Sequence, residues 1–383
     1  MKRKAGFPFA FLSFIRTFAH KIGKMTIHIF NPEHDIALAA NLSNFTAPHA
    51  GRQLRSDLGF LPALWAKEDD AVLVDDQERA EQSYKRLTQS LKRHLGDDFR
   101  AKGVRFVGLK QVGSLENVTR IDPWGWNVAQ KAQLKRSGVV DNILPQDDRL
   151  EEIRQLSHRR TSAQVLPQLM MEGTTGQSFE CFTEIEIEAL LGRYDRLVLK
   201  APWSSSGRGL RFVTRDSFTP QVKGWLRHLL EAQGSVMAEP FYDKERDFGV
   251  EFWATETGEI RYEGLSLFHT SNGAYTGNLL ATERLKREIL SRYISTELLD
   301  NINEIIKTEL TPILKGKYTG PFGVDMMIVK GEKFMLHPCV EINLRRTMGH
   351  VALALSPHDD DVVRVMRIAY SEGRYKMNIE RVK

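Results

Sequence analysis

The chain has 383 residues, 42% hydrophobic, 9% aromatic and 27% charged, an ordinary globular composition that excludes wholesale disorder, collagen-like repeats and low complexity. At roughly 150 residues per domain, this length predicts two or three domains or one elaborated two-lobed enzyme. The formal charge of +5 is concentrated at the start: residues 1–24 carry Lys2, Arg3, Lys4, Arg16, Lys21 and Lys24 with no Asp or Glu, which leaves about −1 for residues 25–383. A broad basic surface, and with it nucleic-acid binding, is not expected.

The apolar run Phe7–Ile15 is shorter than the ~18–20 residues that cross a bilayer, so no membrane span is expected. No small-x-small cleavage site follows it. Met25 directly precedes a strand, Thr26–Phe30, which points to translation starting there and to residues 1–24 as a non-native or disordered extension. A weak interfacial helix is the rival reading. Cys181 and Cys339 lie far apart without a CxxC or Cys/His cluster, so neither a disulfide framework nor a zinc site is supported, and a cytoplasmic location is expected.

From residue 25 the pattern alternates. Ile27–Phe30, Ala71–Val74 and Val104–Gly108 read as buried strands, and Gln77–Leu95 as a surface helix with periodic Leu. A turn cluster, Asp122–Trp126, leads into a helix over Asn127–Ser137 ended by Gly138. This rhythm predicts an open, mostly parallel α/β sheet for about the first 145 residues, without the GxGxxG of a dinucleotide site. A helix near Asp148–Gln168 follows. The second half reads as α+β, with strands at Arg196–Lys200, Leu210–Val213, Ser235–Glu239, Phe248–Thr255 and Ile260–Phe268. Helices are expected over Gln221–Ala232 and, as one long element, Thr282–Ile313. Strands Gly323–Val329 and Phe334–Leu336 then precede Val340–Asn343.

Three segments carry chemistry. Lys200 ends an apolar strand and opens a loop, Ala201–Gly209, rich in Ser and Gly. Gly lets backbone N–H groups turn toward an anion, Ser adds donors, and Lys supplies a point charge for phosphate, although the Walker A order is absent. Taken alone, such a segment is ordinarily a strand end and a solvated loop. Near the C-terminus, Glu341 and Asn343 alternate on one face of a strand, and Asp325 can face them from its neighbour. Two carboxylates and an amide suit a Mg²⁺ that shares its other positions with phosphate and water. The bland alternative is the wet side of a β-ladder. The third segment, Met237–Tyr242, runs into Glu239-Pro240 and two aromatics; Pro240 lacks an N–H, which predicts an irregular hinge able to wall a purine.

In this order, strand–Lys–Ser/Gly loop, strand–Glu-Pro-aromatic, Asp247 opening a strand, then Asp…Glu-x-Asn, the chain resembles the ATP-grasp superfamily over roughly residues 155–355. The motif order is nearest to carboxylate–amine ligases of the D-alanine–D-alanine ligase kind. The resemblance implies an N-terminal open α/β domain over 25–150 and an ATP-grasp fold of two α+β subdomains, 151–236 with the phosphate loop and 237–383 with the adenine hinge and Mg²⁺ site. It implies that Lys200 contacts phosphate under a loop of Ser204, Ser205, Ser206 and Gly207, with Arg159 or Arg160 as a second basic residue. Glu239, Phe241 and Tyr242 match the adenine hinge, and Asp247, with Glu245 as rival, the ribose ligand. Asp325, Glu341 and Asn343 match the Mg²⁺ ligands, and Arg345 a residue that offsets charge on the transferring phosphate. Two departures stand out: the span from Asp325 to Glu341 is long and contains His337-Pro338, and hinge and ribose positions are one residue further apart than usual.

The implied activity is ATP- and Mg²⁺-dependent joining of a small-molecule or peptide carboxylate to an amine through an acyl phosphate, with ADP and phosphate released. A small-molecule kinase and a non-catalytic nucleotide-binding protein are the rivals. Asp247-Phe248-Gly249 spells the kinase DFG, but the HRDxxxxN context is missing. Asn31–Asp35, at a strand end, reads either as a ligand loop or as a helix-capping turn. His269, Asn272 and Asn278 are candidate acceptor contacts. The sequence leaves the substrates and the oligomeric state open, a homodimer among the options.

Overall fold

The computed structural model describes residues 24–96, 102–204, 209–271 and 274–382. The N-terminal extension expected over 1–24 lies outside the described residues except for Lys24. Among the described residues no helix is long and apolar enough to cross a membrane.

Four parallel strands form the N-terminal sheet in the spatial order Arg105–Val107, Ala71–Leu73, Met25–Ile29, Val118–Pro123. Ile27, Ala71 and Val72 are completely buried, as expected of strands covered on both faces. The helix Gln77–Leu95 spans the residues its periodicity predicts. Asp76 accepts from the Arg79 N–H at its start, and Gly96, at φ +84°, ends it in a backbone conformation that L side chains rarely adopt. Val118–Pro123 is a strand where the sequence suggested only a turn cluster. Arg120 and Asp122 hide its alternation, and Pro123 is tolerated at its last residue.

The second half contains three antiparallel sheets. In the lysine sheet the order is Phe179–Cys181, Val236–Pro240, Leu197–Lys200, Leu210–Val213. Its Leu197 and Leu199 face helices Glu184–Arg193 and Pro220–Gln233, which bury Ile187, Leu191, Leu226 and Leu229 against them. The alternate residues, Val198 and Lys200, therefore face the other way. Pro240 is not a hinge outside the ladder: it is the last residue of Val236–Pro240 and partners Leu197, so its missing N–H falls where the ladder ends. That strand also crosses the expected subdomain division at 236/237 and stays in the lysine sheet.

The carboxylate sheet has the order Ile260–Ser266, Lys244–Ala254, Gly320–Val329, Met335–Asn343. Phe248, Val250, Phe252, Phe322, Val324 and Met326 line one face and pack on the helix Thr296–Leu314. By period two, residues 247, 249, 251, 323 and 325 take the opposite face. The long helix expected over Thr282–Ile313 is two helices, Glu283–Leu290 and Thr296–Leu314, because Ser295 caps a second start by accepting from the Leu298 N–H. Likewise Asp148–Gln168 divides into Asp147–Leu156, Arg160–Val165 and a 3₁₀ turn at Leu166–Leu169.

The last sheet has the order Phe268–Ser271, Ala274–Leu280, Arg364–Ser371, Arg374–Arg381. Its final hairpin returns to the start of the chain: Met377 and Ile379 share a core with Leu87 and Leu91, and Tyr375 N–H donates to Asp57 at 2.9 Å.

Candidate active site

Lys200 and Glu239 project from neighbouring strands of the lysine sheet. Glu239 pairs with Val198 in register, two residues from Lys200, so both side chains occupy one face. The Lys200 Nζ lies 2.5 Å from a Glu239 carboxylate oxygen, and Ser178 Oγ donates to the other at 3.3 Å. Lys200 and Glu239 are 7% exposed. The loop after Lys200 is closed at its base by Ala201 N–H donating to Gly209 O at 3.0 Å. Gly209 has φ +76°, and a Cβ there would lie 2.9 Å from that of Ala201, which explains glycine at this position. Ser204 is described, whereas Ser205, Ser206 and Gly207 lie outside the described residues.

Arg159 and Arg160 separate cleanly. The helix break at 157–159 arises where Ser157 Oγ bonds back to Ile153 O, and His158 Nδ1 accepts the Arg160 N–H. It turns Arg159 toward the loop: its guanidinium donates to Ala201 O at 3.1 Å and Ser204 Oγ at 3.3 Å, and pairs with Glu341 at 2.7 Å. Arg160 instead pairs with Glu180 at 2.9 Å. Arg159 thus bridges the two sheets.

On the carboxylate sheet Asp325 lies directly opposite Glu341, and Gly323 opposite Asn343. The extra length noted between Asp325 and Glu341 is taken up by a bulge: from that pair to Met327–His337 one strand advances two residues and the other four, with Pro338 inside the longer arm. Asn343 Nδ2 donates to Asp325 at 3.1 Å, and Arg345 donates to Asn343 Oδ1 at 2.8 Å. The same Arg345 forms a two-point bond to Asp35, both distances 2.8 Å, across 310 residues of chain. Its guanidinium is held by Asp35 and Asn343 rather than left unpaired. Asn31–Asp35 therefore reaches the cluster through Asp35, while Asn31 donates to Gly125 O at 2.9 Å.

The carboxylates repel one another. Burial, Glu341 and Glu251 together push the Asp325 carboxyl up to about 8, against the counter-effect of Arg345. Glu251 is the residue that sequence reasoning missed. It is 2% exposed, accepts from Thr347 Oγ1 at 2.8 Å and lies 3.0 Å from His350 Nδ1. Period two along Asp247-x-Gly249-x-Glu251 was the available signal. Among the described residues no three His, Cys, Asp or Glu side chains converge as a metal cage. Two carboxylates and an amide nonetheless fit an ion that keeps waters and phosphate oxygens, and a dication would relieve the repulsion that raises Asp325.

The hinge residues diverge. Phe241 is 37% exposed, lies under the Arg196 guanidinium at 3.8 Å and meets Phe212 edge-on. Tyr242 packs edge-on against His337 at 5.5 Å, and burial pushes its hydroxyl up to about 12. His337 is 1% exposed, both its ring nitrogens lack a hydrogen-bond partner among the described residues, and burial lowers its imidazole to about 4. Asp247 accepts from Lys244 at 2.5 Å and Thr270 at 3.2 Å; Glu245 is exposed. Of the acceptor candidates, Asn278 is fully buried and satisfied by Ser266 and Tyr275, so it does not face a substrate. Asn272 lies outside the described residues, and burial lowers His269.

No family model and no curated protein sequence matches the chain. Solved structures do resemble it. N5-carboxyaminoimidazole ribonucleotide synthetase from Thermus thermophilus is 14% identical, with a TM-score of 0.48 over 93% of each chain. The Staphylococcus aureus N5-carboxyaminoimidazole synthetase, complexed with ADP, is 12% identical at a TM-score of 0.48, over 91% of this chain and 83% of that one. The biotin carboxylase domain of Hydrogenobacter thermophilus 2-oxoglutarate carboxylase, a dimer complexed with MgADP, ADP and bicarbonate, is 10% identical at a TM-score of 0.49, over 90% and 74%. At these identities and scores the residues of the cleft, not the resemblance, carry the functional reading.

Proposed function

We propose that this chain is an ATP-grasp enzyme, an ATP- and Mg²⁺-dependent ligase that joins a carboxylate to an amine. The observation that carries the reading is Arg159, which ties the loop after Lys200 to Glu341 and so brings residues that would bind phosphate against residues that would bind a cation. Lys200, Arg159, Ser204 and the loop residues Ser205, Ser206 and Gly207 would hold the phosphates. Glu239, Phe241 and Tyr242 would border the base, and Asp247 the ribose. Asp325, Glu341 and Asn343 would hold Mg²⁺, which when bound supplies positive charge to the phosphate oxygens.

The substrate carboxylate oxygen attacks the γ-phosphorus as the bond to the ADP oxygen breaks. Phosphoryl transfer asks the protein chiefly for positioning and charge, which Lys200 and Arg159 provide. Arg345 acts by holding Asn343 in place while keeping its own charge beside Asp325. An amine nitrogen then attacks the acyl carbon of the resulting acyl phosphate; phosphate leaves and the nitrogen loses a proton.

The test is thermal unfolding with and without Mg-ADP, beside Lys200→Ala and Glu341→Ala. Ligand at ~100 times its dissociation constant adds roughly 2.7 kcal/mol, a clear rise in midpoint. A Mg²⁺-dependent rise lost or reduced in both variants supports the reading, and no rise at millimolar nucleotide sinks it. Amine-dependent release of free phosphate then separates a ligase from a kinase, which keeps phosphate on its product.

A further inference from the structure

A cleft of about 220 Å³ opens in the N-terminal region. Asn31 and Glu33, from the loop after Met25–Ile29, line it with Gln133, Arg52, Arg55 and Arg136. It lies beyond the carboxyl ends of the parallel strands, beside the pair Met25–Ile29 and Val118–Pro123. Chain order runs outward from Met25–Ile29 through Ala71–Leu73 and Arg105–Val107, then crosses back to Val118–Pro123 on its other side. Open α/β sheets place ligands at such a reversal.

The charges in this cleft are unfinished. Glu33 is only 6% exposed; one carboxylate oxygen takes Arg55 at 2.5 Å, and the other is buried without a hydrogen-bond partner among the described residues. An unsatisfied buried carboxylate oxygen is costly, and burial raises the Glu33 carboxyl above its ordinary range. Arg52 and Arg136 are exposed, and among the described residues neither forms an ion pair; Arg52 only donates to Ala47 O at 2.5 Å. Arg52 and Arg136 keep N–H donors open to an anion, and the spare Glu33 oxygen lacks an N–H donor.

We propose that this cleft is a binding site for a small zwitterion of the α-amino-acid class, its carboxylate on Arg52 and Arg136 and its ammonium toward Glu33. None of the residues proposed to hold nucleotide or Mg²⁺ lines this site, and it does not depend on the nucleotide reading. It is linked to those residues structurally, since Asp35, two residues after Glu33, holds Arg345.

Isothermal titration of the full chain with each of the twenty protein amino acids, and with acetate and methylammonium as one-ended probes, tests this. At least one amino acid should bind, and neither acetate nor methylammonium should match it. Arg52→Ala/Arg136→Ala should weaken that binding at least tenfold, and so should Glu33→Gln, which preserves shape. Lys200→Met/Glu239→Gln, which leaves no unpaired charge in the lysine wall, should leave it unchanged, and Arg52→Ala/Arg136→Ala should keep the Mg-ADP response, so failure of either site is told from failure of the other. Unchanged circular dichroism midpoints would show the arginine variant folded. Binding of no amino acid, equal binding of acetate, or binding that survives the arginine variant would overturn the proposal.

Discussion

On one wall of the candidate site, Lys200 and Glu239 neutralise each other in a buried pair, whereas on the other wall Asp325 lies against Glu341 and Glu251, and the nearby arginines are shared: Arg159 with Glu341 and Arg345 with Asp35. The first wall is satisfied as it stands, and a polyanion entering it must compete with Glu239 for the lysine. The second wall is strained as it stands, and a dication entering it removes repulsion. A metal-bound polyphosphate meets both needs at once, while either component alone meets only one. The walls should accordingly bind metal and nucleotide together, each raising affinity for the other.

The largest effect that would break this comparison lies on the strained wall. Glu341→Ala removes a metal-ligand candidate and the counter-charge of Arg159, and should lower ATP turnover by roughly 10³-fold while leaving the fold intact. Turnover within about threefold of wild type, measured as ADP release, would show that this wall is not catalytic. On the satisfied wall the effect should divide between function and stability. Lys200→Ala leaves Glu239 buried and unpaired, a loss on the order of 3–5 kcal/mol for a broken buried pair. The double change Lys200→Met/Glu239→Gln should recover most of that stability in urea titrations without recovering Mg-ADP binding. If it recovers both, the pair is only structural.

The walls should also differ in the sign of their pH dependence. Asp325 is raised to about 8 in the folded chain, above the ordinary carboxylate value of about 4. Between these values the folded state holds the extra proton, so stability is fullest below about pH 4 and falls as pH rises toward 8. His337, behind the lysine wall, is lowered to about 4 from an ordinary 6.5, so its contribution is full above pH 6.5 and is lost as pH falls toward 4. His34, also lowered to about 4 by burial, acts in the same direction. In urea titrations without metal, Asp325→Asn should abolish the decline between pH 6.5 and 8, and His337→Gln should soften the acid-side loss. An unaltered slope in Asp325→Asn would mean that its neighbours do not hold the proton there.

Much of this geometry could be read along the chain where the signal is local. The helix Gln77–Leu95 announces itself by period, by Asp76 and by Gly96. Lys200, its Ser/Gly loop and the alternation of Glu341 with Asn343 are equally local. Arg345 is a different case: its partner Asp35 comes from the other end of the chain, and only the fold brings them together. The bulge that lets Asp325 meet Glu341 despite Pro338 depends on register, which no spacing rule supplies. The hairpin Arg364–Ser371 to Arg374–Arg381 carries a local signal in its second strand and its turn. Arg374–Arg381 alternates with Tyr375, Met377 and Ile379 inward, and Glu372 and Gly373, at φ +53° and +74°, form the turn expected of a two-residue connection, whereas Arg364–Ser371, with Val365 and Met366 adjacent, does not alternate.

The finest test uses two adjacent arginines. Arg159 and Arg160 are alike in sequence terms, yet the helix break sends one between the walls and the other to Glu180. Arg160 is 37% exposed at its side chain, and an exposed pair of this kind is worth about 0–1 kcal/mol. Arg160→Ala should therefore change the urea midpoint slightly and turnover hardly at all. Arg159 makes three contacts, two of them to the loop after Lys200, and its side chain is only 10% exposed. Losing charged hydrogen bonds of about 1.5–3 kcal/mol each predicts a roughly 10- to 100-fold fall in turnover for Arg159→Ala. Arg159→Lys should restore the charge but not the fork that spans loop and carboxylate, and so should recover only part of the rate. Equal behaviour of Arg159→Ala and Arg160→Ala would mean that the bridge between the walls is a packing contact with no part in the chemistry.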